Sequence, residues 1–338
     1  MATKINLGLI GAGRIGRVHA ENISYRIPAA RITAVADVFV EAAQKCAADF
    51  QIPTVMQDPQ QIFADPHIDA VIICSSTDTH AQFIEQAARA GKHIFCEKPI
   101  ALDLGKIDQA LKAVAESGVK LQIGFNRRFD PNFKQARDMV AAGKIGMPHL
   151  VRISSRDPAP PPLEYVKVSG GIFLDMTIHD FDMARYLIND EVEEIYAAGA
   201  VLVDPAIGAA GDVDTAVVTL RYANGAIGTI DNSRKAVYGY DQRVEVFGSA
   251  GVVVVANNTA HNAVYSNAQG VQSALPLYFF LERYTEAYVA ELKAFIDSIQ
   301  HDTPPPVSGL DGRIPVVMGL AAWKSYREHR PVKISEIG

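Results

Sequence analysis

The stretch Ile5–Gly16, INLGLIGAGRIG, decides the fold of the first part of the chain. Its first six residues form an apolar run that is typical of a short buried strand. Glycines follow at positions 11, 13 and 16, and Ile15–Ile23 then has the spacing of a helix. The stretch therefore predicts a strand, a tight turn and a helix, which is the start of a βαβ unit.

The three glycines form a G-x-G-x-x-G pattern, in which each position requires glycine for a different structural reason. The first permits the tight turn, the second lets the backbone approach a pyrophosphate, and the third lets the helix pack on the strand. Asp37 ends the next predicted strand, about 20 residues further on, where a carboxylate binds the ribose hydroxyls of a dinucleotide. Val38 and Phe39 offer no cation for a 2′-phosphate, so NAD is favoured over NADP. A turn without a ligand and a site for another nucleotide cofactor remain alternatives.

The pattern of hydrophobic residues along the sequence changes near residue 125. Before it, strands alternate with helices, which predicts a parallel sheet with helices on both faces. The predicted strands of this part are Ile5–Ile10, Arg31–Ala36, Ala70–Ile73, His93–Cys96 and Lys120–Gly124. After it, strand-like runs dominate, and Asn224-Gly225 between two of them is a hairpin signal.

We therefore predict an α/β protein with two domains. The first, 1–124, is a Rossmann-type doubly wound parallel sheet that binds NAD. The second, 125–338, binds substrate, mediates oligomerisation and has a large, mostly antiparallel open sheet. The sequence leaves open whether the final helix, predicted over 310–329, packs on the first domain.

Composition and charge exclude several classes of protein. The chain has 338 residues, 49% of them hydrophobic and 21% charged, which is a globular balance. Its net charge of −6 lacks the basic footprint of a nucleic-acid binder. No apolar run has the length of a transmembrane helix, and no signal peptide is evident. The cysteines at positions 46, 74 and 96 have neither metal-ligand nor disulfide spacing, so we expect a cytoplasmic protein.

Two places carry candidate catalytic residues. Lys98 follows the strand His93–Cys96, at the end of a parallel strand where such sheets bind ligands. Asp175 and His179 are four residues apart in a helix predicted over Gly171–Leu187, so both would lie on one helical face. A surface lysine and a helix-surface ion pair are the alternatives from spacing alone, and a metal site that includes Asp182 is weaker. No G-x-S-x-G elbow of a hydrolase is present.

Taken together, these motifs resemble the Gfo/Idh/MocA family of nicotinamide-dependent sugar and polyol oxidoreductases. The resemblance rests on GLIGAGRIG at residues 8–16, CEKP at 96–99 and DMTIH at 175–179, and it covers essentially the whole chain. A narrower resemblance, to the inositol-oxidising members of bacteria, rests on residues 156–162, 169–182 and 237–248. Ser155 and Asp157 depart from some of these members, which leaves the preferred stereoisomer open.

The resemblance implies a role for each matching residue, and no metal. The implied catalytic residues are Lys98, Asp175 and His179. The cofactor-binding residues are Gly11, Gly13, Arg14, Ile15, Gly16, Asp37, Ser75, Thr77, His80, Glu97 and Lys98. The substrate-binding residues are Lys98, Asn126, Arg127, Asp157, Asp175, His179 and Tyr240. The Lys98–Pro99 bond is expected to be cis.

We therefore expect NAD-dependent oxidation of a cyclic polyol, myo- or scyllo-inositol, with His179 as the general base. The expected partners are this small-molecule substrate and further copies of the chain in a homotetramer, with no nucleic acid and no membrane. An aldopyranose 1-dehydrogenase of the glucose type is the alternative within the family. A non-catalytic NAD-sensing regulator is the alternative from another class.

Overall fold

The structure, a computed structural model, describes residues 4–338. The chain divides into two units. The first contains the chain up to Phe129 and the segment Glu286–Ile314, and the second contains Asp130–Thr285 and Pro315–Gly338. The first unit thus includes a late segment that the sequence prediction placed in the domain 125–338.

The first part of the chain alternates strands and helices, as predicted. The strands are β1 (Ile5–Ile10), β2 (Ala30–Ala36), β3 (Thr54–Met56), β4 (Ala70–Ile73), β5 (His93–Glu97) and β6 (Leu121–Gly124). The helices are α1 (Arg14–Arg26), α2 (Val40–Phe50), α3 (Gln60–Ala64), α4 (Thr77–Arg89) and α5 (Leu104–Ser117). All pairs are parallel in the order β3-β2-β1-β4-β5-β6, which confirms the doubly wound Rossmann sheet.

Two strands of this sheet, β4 and β6, are buried along their whole length. Every residue of β4 and β6 is buried, because helices cover both faces of a parallel sheet. The core of the unit also includes the apolar face of a late helix that contributes Val289, Leu292, Phe295 and Ile296.

The second part of the chain forms a seven-stranded sheet and several short helices. Its elements up to residue 283 are α6 (Pro131–Ala141), β7 (Pro148–Arg156), α7 (Leu163–Val166), α8 (Ile172–Asp175), α9 (Thr177–Ile188), β8 (Val192–Ala200), α10 (Pro205–Ala209), β9 (Thr215–Tyr222), β10 (Ile227–Ser233), β11 (Asp241–Gly248), β12 (Gly251–Val255), β13 (Val264–Asn267), β14 (Gly270–Ser273) and α11 (Phe280–Arg283). The chain ends with α12 (Thr285–Gln300), α13 (Gly309–Glu328) and β15 (Val332–Lys333).

The strand order of this sheet is β12-β11-β7-β10-β9-β8-β15. Its pairs are antiparallel except for β7 with β10, which confirms a mostly antiparallel sheet. Gly225 has a φ of +87° in the hairpin between β9 and β10, as the Asn-Gly signal predicted. Buried and exposed residues alternate along β9, so one face of the sheet is open.

Two differences from the sequence prediction concern local structure. The predicted helix Gly171–Leu187 is wrong, because it is broken at Met176 into α8 and α9. The hairpin of β13 and β14 was not predicted, because all eight of its residues are exposed and show no alternation.

Two further features of the fold are the state of its cysteines and the character of its helices. Cys46, Cys74 and Cys96 are buried free thiols. Within residues 4–338, every helix is too short or too polar to cross a bilayer.

Candidate functional site

The glycine turn of the first unit is shaped by backbone crowding on one side and open space on the other. Gly11 has a φ of +96°, which favours glycine, and a Cβ there would lie 2.6 Å from the backbone of Cys74. A Cβ on Gly16 would lie 2.0 Å from the carbonyl oxygen of Gly11. A Cβ on Gly13 would meet no described atom within 4 Å. The turn is therefore tight, and its open side at Gly13 and at the start of α1 fits a pyrophosphate.

Asp37 lies directly at this turn. Its Oδ2 accepts a hydrogen bond from the backbone N–H of Ala12 at 2.7 Å, and its Oδ1 accepts one from Phe39 at 2.9 Å. Each carboxylate oxygen has capacity for a further donor, as ribose hydroxyls would supply. The adjoining Val38 and Phe39 are 68% and 72% exposed apolar side chains. The Asp37 carboxylate and its apolar neighbours fit the two free ribose hydroxyls of NAD. The carboxylate would repel the 2′-phosphate of NADP.

His80 connects two loops at the same edge of the sheet. Its ring is 2% exposed, with Nδ1 2.8 Å from the carbonyl oxygen of Pro99 and Nε2 3.0 Å from that of Ser75. Burial lowers the pKa of His80, while the two carbonyl oxygens oppose this effect. The histidine thus holds the loop after β4 against the segment after β5. The Lys98–Pro99 bond is cis, as expected.

The remaining predicted residues of the first unit follow the ends of neighbouring strands. Glu97 is the last residue of β5 and Lys98, half-buried, comes next. Asn126 and Arg127 follow β6 and are 3% and 4% exposed. Since β1, β4, β5 and β6 are adjacent and parallel, these residues lie on the same edge of the sheet as the glycine turn.

In the second unit, Asp175 ends α8 and His179 lies in the first turn of α9, half-buried. The break between the two helices coincides with two hydrogen bonds of the Thr177 side chain. The hydroxyl of Thr177 lies 3.1 Å from the carbonyl oxygen of Ile172 and 2.6 Å from Asn232 Oδ1, and it competes with the backbone bonds of a continuous helix. Asp175 and His179 therefore lie in two consecutive helices, and not in one continuous helix as predicted.

Asp175 is held by two side chains that the sequence analysis missed. Its Oδ2 accepts a hydrogen bond from Arg234 Nη1 at 2.8 Å, and its Oδ1 accepts one from the hydroxyl of Tyr165 at 2.8 Å. Arg234 is 2% exposed, and its Nη1 also lies 3.8 Å from Asp157 Oδ2. The structure thus brings the predicted residues Asp157 and Asp175 to the same guanidinium group.

A third carboxylate faces Arg234 from another side. Asp212 Oδ2 lies 4.0 Å from Arg234 Nη2, while its Oδ1 accepts bonds from the backbone N–H groups of Ile172 and Val213. Burial raises the pKa of Asp212, and these backbone bonds oppose it. Asp212 therefore links the start of α8 to the arginine cluster.

The charges of this cluster act on each of its members. Burial disfavours the cation of Arg234, but Asp175 and Asp157 outweigh burial and raise the pKa of its guanidinium. Burial, and then the charge of Asp175, raises the pKa of the Tyr165 hydroxyl, which stays a hydrogen-bond donor. The cluster thus holds Asp175 in a fixed orientation beside a permanent cation.

Tyr240 directly precedes β11, whose first residue, Asp241, lies opposite Arg156, the neighbour of Asp157. It is 7% exposed, and its ring packs edge-on against Tyr284 with centroids 6.0 Å apart. The next residue, Asp241, accepts hydrogen bonds from Arg243, Tyr238 and Asn257. These bonds fix the backbone that carries Tyr240.

Comparisons with known proteins cover nearly the whole chain. Residues 5–125 match the family model described as "Oxidoreductase family, NAD-binding Rossmann fold", and residues 133–254 match the "GFO/IDH/MocA C-terminal domain". The chain is 51% identical to a myo-inositol 2-dehydrogenase of Thermotoga maritima over 98% of this chain and 99% of the relative. It is 47% identical to an inositol 2-dehydrogenase of Rhizobium meliloti over 98% and 99% of the two chains.

Solved structures agree with these sequence comparisons. A probable dehydrogenase from Thermotoga maritima superposes with a TM-score of 0.97 at 51% identity, over 99% of this chain and 100% of that one. A scyllo-inositol dehydrogenase from Lactobacillus casei, solved with bound NAD(H) and scyllo-inositol, superposes with a TM-score of 0.92 at 30% identity. The alignment with the latter covers 98% of this chain and 100% of that chain.

Proposed function

Because the chain belongs to the Gfo/Idh/MocA family of oxidoreductases, we propose that it oxidises a cyclic polyol, myo- or scyllo-inositol, to the corresponding inosose with NAD. The observation that carries the proposal is the similarity over nearly the full length to relatives named inositol 2-dehydrogenase, at 51% and 47% identity. The open glycine turn and Asp37 support NAD as the cofactor.

Oxidation of a secondary alcohol requires a hydride acceptor and a base for the hydroxyl proton. When bound, NAD supplies the acceptor through its nicotinamide ring. His179 takes the proton, because an imidazole has its ordinary pKa near neutral pH. Lys98 donates a hydrogen bond to the reacting oxygen and stabilises the negative charge that develops there. Asp175, oriented by Arg234 and Tyr165, stabilises the histidine cation.

The other hydroxyl groups of the ring need donors and acceptors in fixed positions. We assign this role to Asn126, Arg127, Asp157 and Tyr240. Asp157 supports the assignment because it shares Arg234 with Asp175 and so has a defined position. An inositol that presents its hydroxyls to these groups is oriented before the proton leaves.

The test is the rate of NADH formation by variants of the catalytic residues. His179→Ala is expected to lose about 10²-fold or more in kcat, since that is the low end for general-base catalysis, while NAD affinity stays at the parent value. Lys98→Ala is expected to behave similarly. His261→Ala and Lys45→Ala change exposed residues of the same types and are the controls. Parent-level turnover of inositol by His179→Ala would contradict the assignment.

A panel of substrates separates the proposed function from its alternatives. Myo- and scyllo-inositol are expected to give NADH faster than glucose at equal concentration. Faster oxidation of glucose would favour the aldopyranose 1-dehydrogenase. NAD binding without turnover of any polyol or aldose would favour the regulator.

We also propose a cytoplasmic homotetramer. The three free thiols are typical of a reducing compartment. The open face of the seven-stranded sheet exposes Phe247, Val217, Val252 and Val254 by 49–59% each, and such a patch is typical of an interface. Light scattering on the purified chain is expected to give four copies, and Val217→Asp combined with Val254→Asp is expected to lower that number.

A further inference from the structure

A buried cluster of three titratable side chains lies in the first unit. One of its members, Glu97, directly precedes Lys98 in the sequence. His19 comes from α1, Glu97 from the end of β5, and Glu291 from α12. Their exposed fractions are 0%, 9% and 0%. One nitrogen or oxygen atom of each lies within 4.8 Å of those of the other two. The mechanism proposed above uses none of these side chains.

A hydrogen-bond contact joins His19 and Glu97, and the carboxyl group of Glu291 takes no part in it. His19 Nε2 lies 2.6 Å from Glu97 Oε1, which is a hydrogen-bond distance. Neither carboxyl oxygen of Glu291 has a hydrogen-bond partner within residues 4–338. The backbone of Glu291 is nevertheless fixed, because Gln122 Nε2 donates to its carbonyl oxygen at 2.8 Å. Glu291 therefore points an unpartnered carboxyl group into the cluster.

The surroundings of Glu291 disfavour a second negative charge in the cluster. Burial, followed by the charge of Glu97, raises the pKa of Glu291 well above its ordinary value. Two further titratable groups that feel the charge of Glu97 are the thiols of Cys74 and Cys96, whose pKa burial raises. Tyr288 packs its ring edge-on against His19, with centroids 5.8 Å apart. Thiol and phenol groups add no positive charge to the cluster.

We propose that Glu291 is kept as a neutral acid and that it acts, with His19 and Glu97, as a positioning residue for Lys98. Lys98 follows Glu97 directly, so the bond from His19 to Glu97 fixes the end of β5 from which the lysine projects. A second carboxylate charge would repel Glu97 and shift this strand end. The inference rests on the role proposed for Lys98.

Three variants of the full chain test the positioning role. Glu291→Gln is expected to keep kcat within about twofold, because glutamine is neutral and of the same size. Glu291→Leu is expected to lower kcat about tenfold with little change in the KM for NAD, because small displacements of a catalytic group cost up to about 10²-fold. Ser298→Ala, in the same helix, is the control, since its buried hydroxyl bonds only locally to Phe295. A parent-level kcat for Glu291→Leu, or an equal loss in Glu291→Gln, would overturn the inference.

A spectroscopic measurement tests the neutral acid without any assay of activity. The infrared spectrum of the parent at neutral pH is expected to contain the carbonyl band of a protonated carboxylic acid, and Glu291→Gln is expected to lack it. Absence of the band would overturn this inference and would leave the proposed function unaffected. So would a stoichiometric metal ion in the purified parent that Glu291→Gln does not retain. Full activity of Lys98→Ala overturns the catalytic role proposed for Lys98 and the positioning role together, while the band still decides the protonation state.

Discussion

The two units present their functional groups in different ways. The glycine turn of the first unit works through its backbone, with Gly11 and Gly16 crowded and Gly13 open. The second unit works through charged side chains, since Arg234 faces three carboxylates from separate stretches of chain. A backbone site depends on the space around a few consecutive residues, whereas a side-chain site depends on the balance of buried charges. The two sites should therefore fail in different ways when they are mutated.

The largest effect is expected for Arg234→Met. The change leaves Asp157, Asp175 and Asp212 without their shared cation, and loss of one partner of a buried ion pair costs about 3–5 kcal/mol. We expect a lower free energy of unfolding in urea and a kcat reduced by about 10²-fold, because Asp175 loses its orientation. Arg221→Met, at an exposed position of β9, is the control.

Arg234→Lys sharpens this experiment. The lysine retains the charge but not the planar group that reaches several carboxylates. It should recover part of the stability and less of the kcat. If Arg234→Met were as stable and as active as the parent, the cluster would have no role in the site.

A pair of glycine variants tests the backbone site. Gly16→Ala is expected to destabilise the protein by about 1–3 kcal/mol, because its Cβ would clash with the Gly11 carbonyl oxygen. Gly13→Ala should leave the free energy of unfolding within about 0.5 kcal/mol, because a Cβ there meets no described atom within 4 Å. It should still weaken NAD binding by about tenfold, or about 1.4 kcal/mol. Unaltered NAD affinity in Gly13→Ala would place the pyrophosphate elsewhere.

The smallest effect concerns Asp241 and the pH dependence of stability. Burial alone would raise the pKa of Asp241, but bonds from Arg243, Tyr238 and Asn257 outweigh it and lower the pKa. A lowered pKa stabilises the fold above the unfolded value of about 3.9 and ceases to do so as the pH falls through the folded value. Asp241→Asn should therefore lose about 1–2 kcal/mol at neutral pH. The difference from the parent should shrink below about pH 4, and a difference that is constant down to pH 2 would contradict this explanation.

The fold and the cofactor site depend on information that is local in the sequence. The run Ile5–Ile10, the spacing of the glycines and the position of Asp37 all lie within about 30 residues, so period and spacing predict them. The alternation of strands and helices predicted the parallel sheet for the same reason. The helix break at Met176 escaped prediction because it coincides with a contact between Thr177 and Asn232, which is distant in the sequence.

The partners of Asp175 could not be predicted from spacing. Tyr165 is 10 residues away and Arg234 is 59 residues away, and no periodic pattern connects the three. Asn232-Ser233-Arg234-Lys235 is a polar run at the end of a strand, which is the one signal that the sequence offers. The cluster of His19, Glu97 and Glu291 is likewise assembled from three distant elements.

The most direct test of the proposed function is the fate of a deuterium label. The purified chain is incubated with NAD and with scyllo- or myo-inositol that carries deuterium on every ring carbon, and the reduced cofactor is analysed by mass spectrometry. If the chain catalyses hydride transfer from the polyol, each molecule of reduced cofactor carries one deuterium. Reduced cofactor without deuterium, or no reduced cofactor from either inositol, would contradict the function proposed for this protein.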